Sequence, residues 1–327
     1  MSTTEQNDPI SSLREKHTDI ENVLPPVSIL LETAKYHTFQ YVDLDSNEVT
    51  IDFAEPAQAD PLPIPMPVDR EGYGTVDNSH RYWATGLGDW RNVATAIRQF
   101  LPEPFVEETR PKRLFDFGCA TGRFLRHVWL DQEYRLEPWG CDFSPENIAW
   151  NKRHLPSDFR ILLNHSFPQL PFPDGFFDVV TAFSVFTHID LFEEAWLLEL
   201  ARITRSDGLL YLTIQNEATW AKVANRPDYI RHIGKAAEFT QDVEFSDDMF
   251  NRPMSSERIV FQMSPQRNYN CNVWHSNNYI TDNWSRFANV LKIANNGRLV
   301  VSVARDSAAI AYRMQRRQSA IHSQPPR

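Results

Sequence analysis

Leu114-Phe115-Asp116-Phe117-Gly118-Cys119-Ala120-Thr121-Gly122-Arg123-Phe124-Leu125 is an apolar run that enters a glycine turn, and the turn opens a second apolar run. The pattern predicts strand, turn and helix in that order. At the turn Gly118 can take φ > 0 and let backbone lie against a ligand, which a residue carrying Cβ resists. The helix start adds orphan N–H groups and partial positive charge, suited to a carboxylate or phosphate. The spacing is G-x-x-x-G, not the G-x-G-x-x-G that cradles a dinucleotide pyrophosphate. A ligand turn and an empty tight turn are both compatible with these residues alone. Asp142 ends the next expected strand twenty residues after Gly122, where an acidic residue can take both hydroxyls of a ribose. Strands also end in Asp for turn reasons, and Ser144-Pro145 follows directly.

Outward from this turn the chain alternates. Strand Arg113–Phe117, helix Gly122–Trp129, strand Trp139–Phe143 and helix Pro145–His154 are followed by strands Arg160–Leu163 and Asp178–Val185, helix Leu191–Ile203 and strand Leu209–Ile214. Ser144 is the expected N-cap of one helix, and Asp190-x-x-Glu193 the expected capping box of another. Alternation of this kind implies right-handed crossovers and a parallel sheet covered on both faces. The fold class is therefore α/β, a doubly wound Rossmann-like sheet. Asn295-Asn296-Gly297 between Val290–Ala294 and Leu299–Ala304 signals a closing antiparallel hairpin.

On the N-terminal side, a helix is expected over Trp90–Leu101, and two short strands between Phe39 and Phe53 around Asp45-Ser46-Asn47. Proline at every second position from Pro61 to Pro67 enforces an extended strap or linker, and the apolar Leu62, Ile64 and Met66 favour a strap. The alternation breaks over residues 216–275, where Arg258–Met263 and Tyr269–Trp274 read as an extra antiparallel pair, before a helix near Asn278–Phe287. This divides the chain into an arm and strap (1–70), a core (71–215), an insertion or substrate cap (216–275), the core's C-terminal part (276–312) and a polar tail (313–327).

Apolar residues make up 42% of the 327, enough for a sizeable core. With 33 basic and 43 acidic side chains the net charge is -10. No long basic stripe occurs, and the short Arg316-Arg317 pair in the tail is none, so a nucleic-acid partner is disfavoured. Cys119, Cys141 and Cys271 lack metal or disulfide spacing. The N-terminal MSTTEQNDPI has no apolar segment of the kind a signal peptide needs, and no run approaches the roughly 18 apolar residues that span a bilayer. A cytoplasmic location without membrane association is the expectation. Oligomeric state is not encoded in any of these features.

Taken together, FDFGCATGRFLRHV, WGCDFSPENI and SFPQLPFPDGFFDVVTAFSVFTHI resemble the ordered motifs of class I S-adenosylmethionine-dependent methyltransferases across residues 80–215, and the closing hairpin resembles that family's last two strands. The resemblance implies S-adenosylmethionine as cofactor. Asp116, Gly118, Ala120 and Gly122 would surround its methionine end, Asp142 its ribose, and Phe143, Ser166 and Phe167 its adenine. Phe183 and Ser184 would lie beside the sulfonium, with Phe186 a further aromatic facing the cation. Ala120 stands where the family more often has glycine, a change that asks only for an ordinary φ. Ser166 stands where an acidic residue is usual. The strap, Tyr82-Trp83-Ala84-Thr85-Gly86 and the late Trp274-His275-Ser276 resemble bacterial members with an N-terminal strap and a late insertion.

The implied reaction is O- or N-methylation of a small-molecule or sugar acceptor. His188, directly after the fourth core strand, is the first candidate for a base that deprotonates a hydroxyl, or else a residue that shapes the loop. His275 is the second, with Trp274 as an apolar wall of an acceptor pocket; His165 is a third, weaker candidate. Cys119 and Cys141 are expected to pack as small apolar side chains. A non-catalytic scaffold of the same fold and a nicotinamide-dependent oxidoreductase are the alternatives, the latter lacking any G-x-G-x-x-G.

Overall fold

The computed structural model describes residues 23–32, 37–71, 73, 79–101, 105, 110–240, 243–265 and 269–302. The polar N-terminus before residue 21, the tail from residue 313 and the last two residues of the final expected strand, Val303 and Ala304, lie outside them.

A seven-stranded sheet organises the chain: β1 (Arg113–Phe117), β2 (Glu137–Asp142), β3 (Arg160–Leu163), β4 (Phe177–Ala182), β5 (Thr204–Thr213), β6 (Asn289–Ile293) and β7 (Arg298–Ser302). Their spatial order is β6-β7-β5-β4-β1-β2-β3. Strands β1 to β5 pair in parallel, while β7 is antiparallel to both β5 and β6. The doubly wound α/β class is thus observed, with the hairpin at its edge. The order reverses between β1 and β4, and the carboxyl ends of strands diverge at such a switch point to leave a crevice.

Period-two alternation explains the layers. Phe115, Phe117, Val180, Ala182, Leu210, Leu212, Leu299 and Val301 join one buried cluster, while their neighbours Leu114, Val179, Leu209, Tyr211 and Val300 join another. The first face is covered by Trp196, Leu197 and Leu200 of α4 (Glu193–Ile203) and by Ile280 of α7 (Asn277–Asn283). The second takes Trp90, Val93 and Ile97 of α1 (Ser79–Phe100), Leu125 and Val128 of α2 (Leu125–Leu130) and Trp150 of α3 (Pro145–His154). All six residues of β4 are buried, as a strand covered on both sides must be.

Several boundaries differ from the sequence reading. Helix α1 starts at Ser79, eleven residues before the expected Trp90. The interior Gly86 and Gly88 weaken the helical signal, but Gly86 permits close packing, since a Cβ there would sit 2.3 Å from the Arg123 carbonyl oxygen. Ser144 caps α3 as expected, accepting from Asn147 N at 3.1 Å. The Asp190–Glu193 capping box does not form. Helix α4 begins at Glu193 behind Phe192, whose φ is +64°, and both carboxylates are drawn to tertiary partners. Asp190 Oδ2 accepts from Gln262 Nε2 at 2.9 Å. Glu193 accepts from His275 Nε2 (2.8 Å), Trp284 Nε1 (2.8 Å), Arg258 Nε (2.9 Å) and Tyr279 Oη (3.2 Å). Burial would raise this carboxyl, but His275, Arg258 and Trp284 outweigh it and pull it down to about 2.

The proline segment is a strap. Pro63–Ile64 pairs with Leu24–Pro26, and Leu62 and Ile64 are buried. Asp60 anchors it by accepting from Arg126 Nε at 2.7 Å, Arg126 Nη2 at 3.1 Å and Trp83 Nε1 at 2.6 Å. Because Arg126 lies on α2, this buried pair locks the strap to the helix that follows the glycine turn. Between β5 and β6 the chain forms α5 (Glu217–Val223), α6 (Pro227–Ala236) and an antiparallel hairpin, Arg258–Gln262 with Cys271–His275. The pair was expected, the two helices were not. The hairpin's second strand is stitched to the sheet's carboxyl edge, where Val273 N donates to Thr187 O (2.8 Å) and His275 N to Gln215 O (2.7 Å). No helix among the described residues is long and apolar enough to cross a membrane.

Candidate active site

The turn after β1 is built from backbone. Gly118 N and Cys119 N both donate to the Cys141 carbonyl at 2.9 Å, tying the turn to β2. Gly118 has φ +80°, and a Cβ there would meet Val185 Cγ2 at 2.6 Å. Gly122, at φ +75°, would drive a Cβ to 2.8 Å from Leu155 Cδ1. Ala120 corrects the sequence reading: its φ is +45°, a left-handed conformation costing an L-residue about 1–2 kcal/mol. Its neighbours hold it there, with Ala120 N donating to Asp142 Oδ2 at 2.8 Å and Asn151 Nδ2 donating to Ala120 O at 2.6 Å.

A cavity of about 690 Å³ opens over this turn. Among the residues expected at a cofactor, Asp116, Gly118, Ala120, Asp142, Phe143, Ser166, Phe183 and Ser184 line it, as does His188. Asp142 Oδ1 accepts from Ser144 N at 2.9 Å and, at the limit of range, from Asn147 Nδ2 at 3.5 Å, while Oδ2 accepts from Ala120 N. For ligand hydroxyls Oδ2 keeps an open acceptor position and Oδ1 one held only by the long Asn147 contact. Burial raises the Asp142 carboxyl against these hydrogen bonds. Asp116 is buried more completely; desolvation pushes it up to about 7 although Thr181 Oγ1 donates to it at 2.7 Å. Cys119 and Cys141 line the cavity too, and burial raises both thiols well above their ordinary value, which keeps them unreactive.

A second cavity of about 530 Å³ adjoins the first and shares Tyr73, Phe183, Ser184 and His188 with it. Ser184, at φ +55°, turns the chain at the junction and donates its N–H to Thr213 Oγ1 at 2.6 Å. His188 Nδ1 lies 2.6 Å from the Cys271 carbonyl oxygen. A carbonyl only accepts, so Nδ1 carries a proton, and in the neutral form of the ring Nε2 is the acceptor.

A methyltransferase-domain family model matches residues 115–212, from within β1 to within β5. The match therefore spans the glycine turn, Asp142 and the crossover at the switch point. Residues 115–212 are thus similar to a methyltransferase domain. Among curated proteins, ajmaline N-methyltransferase of Rauvolfia serpentina is 24% identical over 164 residues, covering 43% of this chain. The alignment spans about half of that relative, 54% of its length. Among solved structures, the PH0226 protein from Pyrococcus horikoshii OT3 has a TM-score of 0.39 at 17% identity, covering 65% of this chain and 92% of that one. A TehB-like SAM-dependent methyltransferase from Corynebacterium glutamicum has a TM-score of 0.29 at 21% identity, covering 41% and 73%.

The fold brings some expected residues to the cavities and leaves others out. Gly122 shapes the turn from behind. Phe167 is 60% exposed and packs beside Phe192, with ring centroids 5.8 Å apart. Phe186 is fully buried against Trp284, away from both cavities. His275 and Trp274 are also fully buried. The His275 ring is committed to Glu193, and Trp274 fills the core of the insertion against Trp220 and Phe261. Cys271 and Asn272 at the start of that strand, not these two at its end, line the second cavity.

Arg123 was missed. Its guanidinium lies over the Tyr73 ring at 4.1 Å and donates from Nη2 to Asp89 Oδ2 at 2.7 Å. Nη1 is buried without a hydrogen-bond partner, and the residue lines the first cavity. A cation just before a helix N-terminus opposes the helix dipole, and that was the available signal. An unsatisfied buried N–H beside the turn fits the carboxylate of the cofactor's methionine end.

Proposed function

We propose that this chain transfers a methyl group from S-adenosylmethionine to a hydroxyl or amine of a small-molecule or sugar acceptor seated in the second cavity. The observation that carries the reading is the meeting of the two cavities at Phe183, Ser184 and His188. The first cavity has the family's cofactor motif on its wall, and the second is bounded by the insertion. In this reading Asp142 accepts from both ribose hydroxyls, Phe143 and Ser166 border the adenine, with Phe167 at the rim, and Arg123 Nη1 meets the carboxylate. Asp116, Gly118 and Ala120 line the methionine end, shaped by Gly122.

When bound, the cofactor supplies a sulfonium methyl electrophile, so the chain's work is alignment, water exclusion and proton removal. Alignment of a well-oriented pair accounts for roughly 7–11 kcal/mol of a barrier. Phe183, packed on Phe124 and Tyr211 at 4.7 and 5.7 Å, is a rigid aromatic wall at the junction, suited to face a cation. His188 Nε2 receives the proton of a hydroxyl acceptor as the methyl group arrives. An acceptor amine that is already neutral needs no base, and the relative named for N-methylation of ajmaline keeps that chemistry within the proposal.

Incubation with methyl-labelled S-adenosylmethionine and a metabolite extract tests this. Label is expected in an acceptor, with one S-adenosylhomocysteine formed per labelled product. Cofactor binding without any transfer would make the chain a scaffold. Asp142→Ala is expected to fold and to bind S-adenosylhomocysteine roughly ten- to a hundredfold more weakly, the equivalent of about 1.5–3 kcal/mol for hydrogen bonds to a charged group. Unchanged affinity in titration calorimetry would leave Asp142 a turn residue.

A further inference from the structure

We propose that the acceptor is an anion, and that Arg298 in the second cavity binds its carboxylate or phosphate group; this rests on the methyltransferase reading above. Arg298 opens β7 and lines that cavity with its side chain 17% exposed. Its nearest counter-charge is Asp89, but Asp89 is committed elsewhere. Oδ2 accepts a 2.7 Å hydrogen bond from Arg123, whereas Arg298 Nη2 stands 3.8 Å from Oδ1, beyond hydrogen-bond range. Arg298 Nε is buried without a hydrogen bond of ordinary geometry, and the group the guanidinium meets besides Asp89 is the neutral Tyr211 hydroxyl, which brings no counter-charge. Two guanidiniums thus share one carboxylate, and the second keeps donors to spare.

Among the described residues lining the cavity, Asp89 is the sole carboxylate. Thr187, 8% exposed, adds a buried hydroxyl with no partner to the same wall. Buried donors without acceptors are costly to leave unmade, and an oxyanion in this cavity supplies acceptors to its wall. Charge argues the same way. The donor in the adjoining cavity carries a sulfonium and an ammonium against one carboxylate, a net positive charge. A cationic acceptor would bring a further like charge to the junction, whereas an anionic one offsets it in a medium where charge pairs interact strongly. The planar guanidinium fork matches carboxylate and phosphate oxygens bidentately.

The test uses full-length protein saturated with S-adenosylhomocysteine, with loading confirmed by calorimetry. Inorganic phosphate is titrated in one arm, followed by ³¹P line broadening, and ¹³C-acetate in the other, so the tighter arm names the oxyanion. Binding of at least one anion is expected, weakened tenfold or more by Arg298→Met. Arg298→Lys keeps the charge beside Asp89, and with it the local pairing; it should also weaken binding, about tenfold, because an ammonium lacks the fork. No binding in either arm, or equal binding by wild type and Arg298→Lys, overturns the proposal. Failure of S-adenosylhomocysteine to load would instead overturn the methyltransferase reading itself.

Discussion

Replacing Trp274 with alanine is expected to lower stability by about 3–5 kcal/mol, the range for truncating a fully buried tryptophan. Trp274 is 0% exposed and stands edge-on to Trp220 and Phe261, with ring centroids 5.6 and 5.7 Å away. These rings, with Ile233, Phe250 and Ile259, form the insertion's own apolar cluster. The strand bearing Trp274 also supplies the Cys271 carbonyl that holds His188. Loosening this cluster therefore removes the wall of the second cavity as well as stability. Denaturant titration checks it: an unchanged midpoint would mean that the insertion does not depend on this core.

The second large effect concerns His188. His188→Ala is expected to reduce turnover of a hydroxyl acceptor by about 10²–10⁴-fold, the usual contribution of a positioned base, while S-adenosylhomocysteine affinity stays within a few-fold of wild type. The basis is the ring's geometry: Nδ1–H is fixed on the Cys271 carbonyl and the residue lines both cavities. Single-turnover kinetics beside calorimetry separates the two quantities. A parallel loss of affinity and turnover would make His188 a structural part of the cofactor cavity, and unchanged turnover would remove it from the chemistry.

The core was legible because its signals are local. The G-x-x-x-G turn, Asp142 at a strand end and Ser144-Pro145 at a helix start are each set by neighbours within a few residues. The structure returns them as φ +80° at Gly118, a carboxylate on the cavity wall and a capped helix. What failed was set by partners distant in sequence. Asp190 and Glu193 have the spacing of a capping box, yet Gln262, Arg258, His275 and Trp284 offer buried donors that a helix end cannot match. Ala120 takes a left-handed φ because Asp142 and Asn151 bind its two backbone groups, one 22 and the other 31 residues away. In the insertion the strand pair was legible, but not that the strand Cys271–His275 is buried at every position, and so Trp274 and His275 were placed on the cavity instead of in the core. Arg123 and Arg298 gained meaning only when Asp89 was seen to serve both.

Calorimetric titration of the purified chain with S-adenosylhomocysteine, alongside NAD, tests the central claim most directly. A single saturable site for S-adenosylhomocysteine is predicted, and at about 100 times its dissociation constant the ligand should stabilise the fold by roughly 2.7 kcal/mol, seen as a raised melting temperature, with no response to NAD. Saturable binding of NAD with none of S-adenosylhomocysteine would contradict the account.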